Sequence, residues 1–409
     1  MKTAGCLPQT RIHYALILGC LSALGPLYTD LYLPALPQIT HDFLTTSSAT
    51  QLSLTATLIG LGLGQLIFGP LSDRLGRRPP LLISLLILVV ASWTCYFAVN
   101  VEQLILARFI QGVMGSGGVV ISRAIARDKY QSSALTQFFA LLMMINGIAP
   151  IIAPVVGGIL LTWLNWRDIF MVLGIASSLL LIFSHFQISE TLPKPLRHKG
   201  SFISVFGQLG NLVLQRRFIG LCLTQGFILA GMFAYIGASS FVLQEHYHLS
   251  AQLYSLCFAA NGLGLIIAAQ ISARLAKRWG ELVVLKGVLI LAITSAALLV
   301  VIGFIDASLW LLLPILFITI SVNSMIGTTG TMLAMQEVPA QSGGSASALL
   351  GACMFVLGGI SAPLSGLGGS STAAMAITIF GCYAIAFIIF TCLIGWREPI
   401  PPVDECIKQ

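Results

Sequence analysis

Apolar runs of the length a helix needs to cross a bilayer recur roughly twelve times along this chain. They lie near residues 12–37, 50–71, 81–99, 103–124, 134–160, 167–188, 217–243, 251–272, 283–303, 309–333, 344–366 and 372–395. In hydrocarbon every backbone N–H and C=O must be paired within the protein, so such runs fold as helices. Only 9% of the residues are charged and the mean hydropathy is +0.94, against about 25% charge in a soluble protein. The expected fold class is an all-α membrane protein with twelve transmembrane helices.

The cations set the topology. With an even number of spans and the N-terminus inside, both termini are cytoplasmic, and 18 of the 21 Lys and Arg residues then fall on the cytoplasmic side. Arg167 falls outside, and Arg108 and Arg123 lie within a span. This strong bias satisfies the positive-inside rule. It also accounts for the net charge of +7 without any nucleic-acid partner. The nine cysteines form no C-x-x-C pair, so neither a disulfide framework nor a metal site is indicated. Nothing resembles a cleaved signal peptide, because the first apolar run is long enough to remain as a helix.

The longest polar stretch, Ser189–Gln215, carries two prolines and the cations Lys194, Arg197 and Lys199, is followed directly by Arg216 and Arg217, and reads as a cytoplasmic linker. It divides the chain into an N-terminal half, 1–188, and a C-terminal half, 216–409, of six helices each. A faint repeat at an offset of 200 joins Gly62 and Gly64 to Gly262 and Gly264, and Arg77-Arg78 to Lys277-Arg278, with Asp73 opposite Ala273. Repeated halves are a signature of secondary transporters.

One stretch between the second and third spans stands apart: Gly69-Pro70-Leu71-Ser72-Asp73-Arg74-Leu75-Gly76-Arg77-Arg78-Pro79. Gly76 and Pro79 suit a tight reversal. Its cations alone make it a topogenic turn. Its order also resembles the loop between helices two and three of major facilitator transporters. That resemblance implies a cytoplasmic gate built from Gly69, Asp73, Arg74, Gly76, Arg77 and Arg78, with Asp73 at the start of the eleventh helix near Gly343-Gly344.

Asp30 ends a run, Tyr14–Thr29, that holds no charge. An ionisable group at membrane depth is expensive and usually faces a cavity or a partner; the plainer reading is a carboxylate at the helix mouth. The segment Asp30-Leu31-Tyr32-Leu33-Pro34-Ala35-Leu36-Pro37 resembles the first-helix motif of the Bcr/CflA drug-efflux group, which implies a proton or substrate carboxylate at Asp30. Arg108, within the fourth span, is its natural partner; otherwise it snorkels to the headgroups. Arg108-Phe109-Ile110-Gln111-Gly112 resembles the fourth-helix motif of proton-coupled facilitators. The same span ends in Arg127-Asp128, either solvated charges or partners of the Asp73 stretch.

The fifth span carries Gly147, Pro150, Pro154, Gly157 and Gly158. Small residues there permit close helix packing. The string resembles the antiporter motif of the family, with Ala153 where that pattern has glycine. Gln65, Gln111, Asn146, Gln225, Asn261 and Asn323 either bond between helices or line a cavity; Tyr32, Phe233 and Tyr235 are candidate aromatic contacts.

Together the resemblances imply a major facilitator fold and proton-coupled efflux of drugs or other small amphipathic molecules across a bacterial inner membrane. A dedicated transporter of one metabolite, such as an amino acid, sugar or siderophore, is the alternative. A membrane sensor is disfavoured because no soluble domain is appended after Trp396. An enzyme or ATP-driven pump is disfavoured because no phosphate loop or metal motif occurs. The expected partners are a small-molecule substrate, protons and the bilayer; the chain is expected to be a monomer without cofactors.

Overall fold

The computed structural model describes residues 9–130, 132–197, 210, 212–338 and 343–396. Its elements are α1 (Gln9–Asp30), a 3₁₀ turn (Leu33–Ala35), the short α2 (Leu36–Asp42), α3 (Ser47–Leu75), α4 (Arg78–Tyr96), α5 (Val101–Lys129), α6 (Ser132–Leu160) and α7 (Trp166–Gln187). Then follow α8 (Arg216–Phe241) with a π-helical turn (Val242–His246), α9 (Ala251–Trp279), α10 (Glu281–Phe304), α11 (Leu309–Gln336), α12 (Gly343–Ser365) and α13 (Thr372–Leu393). Among the described residues, 11 helices are long and apolar enough to cross a membrane; α6 completes the expected twelve with 29 residues.

Two ends can be told apart. The basic end carries Arg74, Arg77, Arg127 and Lys129 at or beside the C-termini of α3 and α5, where cations favour the helix dipole. At the far end α3, α5, α7, α9 and α13 begin, each capped by the side chain of Thr46, Asn100, Asn165, Ser250 or Ser371. Outward faces are apolar, with Leu86, Val90, Ile182 and Phe186 all exposed, as a lipid-solvated surface requires.

Two sequence expectations change. The first span does not run unbroken to residue 37, because α1 stops at Asp30. Pro34 has no N–H for the Asp30 carbonyl, and a residue before proline avoids helix. The stretch Gly69–Pro79 is mostly helix rather than turn, with α3 continuing to Leu75 despite Pro70. Only Gly76 and Arg77 separate α3 from α4, with Gly76 at φ +97°, a conformation that favours glycine.

The helices pack as two bundles: α1 and α3–α7, and α8–α13. The bundles meet chiefly where α3 lies on α12 and α6 on α9. The repeat is clearer here than in sequence. Both α3 and α9 have 29 residues, a side-chain N-cap and a terminal glycine at positive φ, Gly76 or Gly280. The structural offset is therefore 204, which sets Asp73 opposite Lys277 and Arg77 opposite Glu281, with the signs reversed.

Candidate functional site

Asp30 is the last residue of α1 and is buried, at 5% exposure. Arg108 on α5 is fully buried. Its Nη1 donates to Gln111 Oε1 at 3.0 Å, and Gln111 Nε2 donates to Ser92 Oγ at 3.0 Å. Ser92 in turn meets the Tyr28 hydroxyl at 3.1 Å. The guanidinium carbon lies 4.1 Å from the Tyr32 ring centroid and 5.7 Å from that of Phe170, a cation–π arrangement that holds charge in an apolar setting. Snorkelling is therefore not what this side chain does. Asp30 lies two residues before Tyr32, on whose ring Arg108 rests, yet among the described residues no ion pair joins Asp30 to Arg108. Two Arg108 donors, Nε and Nη2, have no partner.

At the basic end Arg77 is the centre. It is nearly buried and binds Asp73, Ser72 Oγ (2.9 Å) and Asp128 Oδ2 (2.9 Å) through its guanidinium. Its backbone N–H donates to Glu190 Oε1 at 2.9 Å. Arg78 donates to the His185 carbonyl at 2.8 Å, and Thr191 Oγ1 to Asp128 at 2.9 Å. The expected partner of the Asp73 stretch on α5 is thus Asp128, joined through Arg77; Arg127 is exposed. Gly69 has open space around it among the described residues. Residues 339–342, where Asp73 was expected to meet the eleventh span, lie outside the described residues, as do the surroundings of Gly343 and Gly344.

Glu190, just past α7, was missed. A carboxylate following the sixth span and flanked by a basic linker was the available signal. It sits against Gly76, where a Cβ would collide with it. Burial works against its ionised form. The N–H groups of Leu192, Arg77 and Arg78, with the Arg197 charge, outweigh that and hold its carboxyl below the usual range.

The fifth-span glycines diverge. A Cβ on Gly157 would strike the Leu31 backbone, and one on Gly158 would strike Ser255 and Ala251 of α9. Gly147 has no such neighbour and is exposed, and Pro150 is half-buried where Pro154 is buried. Most of the polar candidates bond between helices or turns: Asn261 Nδ2 to the Tyr235 hydroxyl (2.7 Å), Asn323 Nδ2 to the Tyr383 hydroxyl (2.7 Å), and Thr331 to Gln225 (2.9 Å). The side chain of Asn146 lies outside the described residues. Sequence reasoning also passed over Gln51, which is fully buried against Gly237, Gly366 and Ser365 of the other bundle. A groove of about 400 Å³ between α4 and α7, lined by Leu82, Leu86, Ile182 and Phe186, faces lipid and lies away from all of these residues.

Two helical bundles with buried charge near their seam and an apolar exterior define a multi-pass membrane transporter rather than an enzyme. A family model described as Major Facilitator Superfamily matches residues 18–363, and the chain belongs to that superfamily. It is 39% identical over 384 residues to an uncharacterized MFS-type transporter of Bacillus subtilis, covering 93% of this chain and 95% of that protein. It is 26% identical to a bicyclomycin resistance protein homolog of Haemophilus influenzae, covering 92% and 95%. It is 29% identical to multidrug resistance protein D of Escherichia coli, covering 88% and 90%. These relatives identify it as Bcr/CflA-like. Among solved structures, a bacterial homolog of the lysosomal transporter Spinster superposes with TM-score 0.74 at 16% identity, covering 96% of this chain and 100% of that one. A D-xylose-proton symporter superposes with TM-score 0.71 at 14% identity, covering 95% and 100%.

Proposed function

We propose that this transporter is a proton-coupled exporter of drugs or other small amphipathic molecules across a bacterial inner membrane. The observation that carries the reading is Asp30. It is a buried carboxylate at a helix break, and a buried guanidinium beside it keeps two unpaired donors. When ionised, Asp30 can draw toward those donors or toward a cationic substrate; when protonated, it releases either. The membrane potential contributes about 2.3 kcal/mol per charge per 100 mV to such a cycle. The resistance names of the relatives support drug efflux.

The cation count supports the basic end as cytoplasmic. The halves 1–188 and 216–409 then rock about the midplane on a cytoplasmic linker, 189–215. With the far end shut, the conformation faces inward. Substrate-induced proton release from the purified protein tests the reading. Wild type should release protons on drug addition, and Asp30→Asn should not. Equal release by both would place the coupling group elsewhere.

A further inference from the structure

The far end holds a feature that proton coupling leaves unused. Pro37 cannot offer an N–H to the Leu33 carbonyl. That oxygen takes the Leu36 N–H in the 3₁₀ turn and keeps a second lone pair. Ser240 Oγ, from the end of α8 in the other bundle, donates to it at 2.7 Å. Gln244 Nε2 donates to the adjacent Pro34 carbonyl at 3.1 Å and to Ser240 Oγ at 2.7 Å. Both amide hydrogens and the hydroxyl hydrogen are thereby used, a complete account of the donors of these two side chains.

Elsewhere in these helices Ser and Thr mostly bond back to their own helix, as Thr224 does to Gly220; Ser240 reaches across instead. Gln244 sits in the π-helical turn Val242–His246. Such turns re-aim side chains and recur at functional positions. On its other side the Leu31–Pro34 backbone is backed by Gly157 of its own bundle. A segment so gripped begins one residue after Asp30.

We propose that the proline-broken turn Leu33–Pro37 is the catch that holds the far end shut, with Ser240 and Gln244 as the positioning residues that grip it. The catch rests on alternating access by two bundles, and it stands whether or not Asp30 carries the proton. It opens by letting go of carbonyls that water can then solvate, so no charge is stranded. Gln244→Glu is the decisive variant. Ionised, it presents only acceptors to the Pro34 carbonyl and Ser240; protonated, it regains one donor.

The experiment places nitroxide labels at Leu44→Cys and Trp310→Cys, exposed far-end positions of the two bundles, in protein freed of its native cysteines. Distances are measured by pulsed EPR in lipid nanodiscs without substrate. The combined change Ser240→Ala with Gln244→Leu should shift the open-to-closed ratio about tenfold toward open. Gln244→Glu should open at neutral pH and close again in acid. The parent protein, run over the same pH range, accounts for Asp30, Glu245, and the His246–Asp306 pair. Unchanged distances in both variants, or opening by Gln244→Glu that acid does not reverse relative to the parent, would overturn the catch. Loss of proton release in Asp30→Asn leaves these distances as an independent result.

Discussion

The two ends of the molecule are built from different bonds. At the basic end, Arg77 gathers Asp73, Asp128, Ser72 and Glu190, all from one bundle. Every ion pair among the described residues lies within a single bundle, including Arg217–Glu337 and His246–Asp306. At the far end the bundles are joined by neutral groups: Ser48 to the Pro363 carbonyl, Thr55 to the Gly359 carbonyl, Gln252 to the Gly158 carbonyl, and the grip of Ser240 and Gln244. A neutral hydrogen bond is worth about 0.5–1.5 kcal/mol net, whereas stripping a partner from a buried charge costs about 3–5 kcal/mol. A seam that must part in every cycle uses the first kind. Within the basic-end bundle the buried Arg77 belongs to the second kind, while the more exposed pairs elsewhere contribute little.

The largest effect should come from filling the seam. Gly157→Leu would push the Leu31 backbone away and cut transport about 100-fold, the cost of overpacking a tight helix contact. Gly147→Leu belongs to the same motif but meets open space and should leave transport within about twofold, since surface changes rarely exceed 0.5 kcal/mol. Vesicle transport at matched expression checks both. Equal loss in the two variants would mean that the motif acts through helix bending and not through the seam.

Next in size is Arg77→Ala. It leaves Asp128 with Thr191 as its remaining partner and, through the lost charge-assisted bonds, should lower stability by about 1–3 kcal/mol, read as melting temperature in detergent. Far-end label distances should not move. Asp73→Asn should cost less stability, because the Asp73 side chain is 53% exposed and exposed pairs contribute little. If Arg77→Ala opens or closes the far end, the division between the two kinds of bond fails.

The helices and their count were legible because bilayer-length apolar runs leave the backbone no alternative. The buried Asp30 and Arg108 stood out as well, since membrane charges are rare. What was hidden was partnership. Asp128 and not Arg127 meets the Asp73 stretch, because which face of α5 a residue occupies depends on packing as well as spacing. Arg108 lies on Tyr32, because the break after Asp30 redirects the chain. Ser240, Gln244 and Gln51 look like ordinary polar residues of membrane helices, and only the facing backbone gives them a task. The repeat was legible at a different offset, because the cations of the two hairpins match best at 200, where Arg74, Arg77 and Arg78 meet Arg274, Lys277 and Arg278, whereas at 204 only Arg74 meets a cation, Arg278.

Gln51 gives a smaller effect of opposite sign. Its Nε2 has no partner, and Ser365 reaches its Oε1 only at 3.4 Å. A buried amide left so poorly bonded costs about 1–3 kcal/mol in the closed far end. Gln51→Met keeps the length and removes that cost, so it should favour the closed state and slow turnover while raising the melting temperature. Label distances that shift toward open in Gln51→Met would show that the amide is bonded where the seam is shut.

The smallest expected effect tests whether the basic end behaves as a charged clamp. Glu190 lies outside the spans, and its carboxyl is held below its ordinary value, because backbone N–H groups and Arg197 outweigh its burial. A group whose folded pKa is depressed adds stability that is fully present above its unfolded pKa and is lost as pH falls through the folded one. Between pH 8 and pH 6, taken as roughly neutral on the carboxylate scale, the Glu190 contribution should therefore be constant. It should decline only as the medium becomes acidic enough to protonate the bound carboxylate. Glu190→Gln keeps one acceptor for the Arg77 N–H but loses the charge. It should melt lower than wild type near neutrality, with the gap closing in acid. Melting curves of the two proteins across pH give the difference directly. A gap that stays constant into acid would mean that Glu190 holds Gly76 and Arg77 through shape alone.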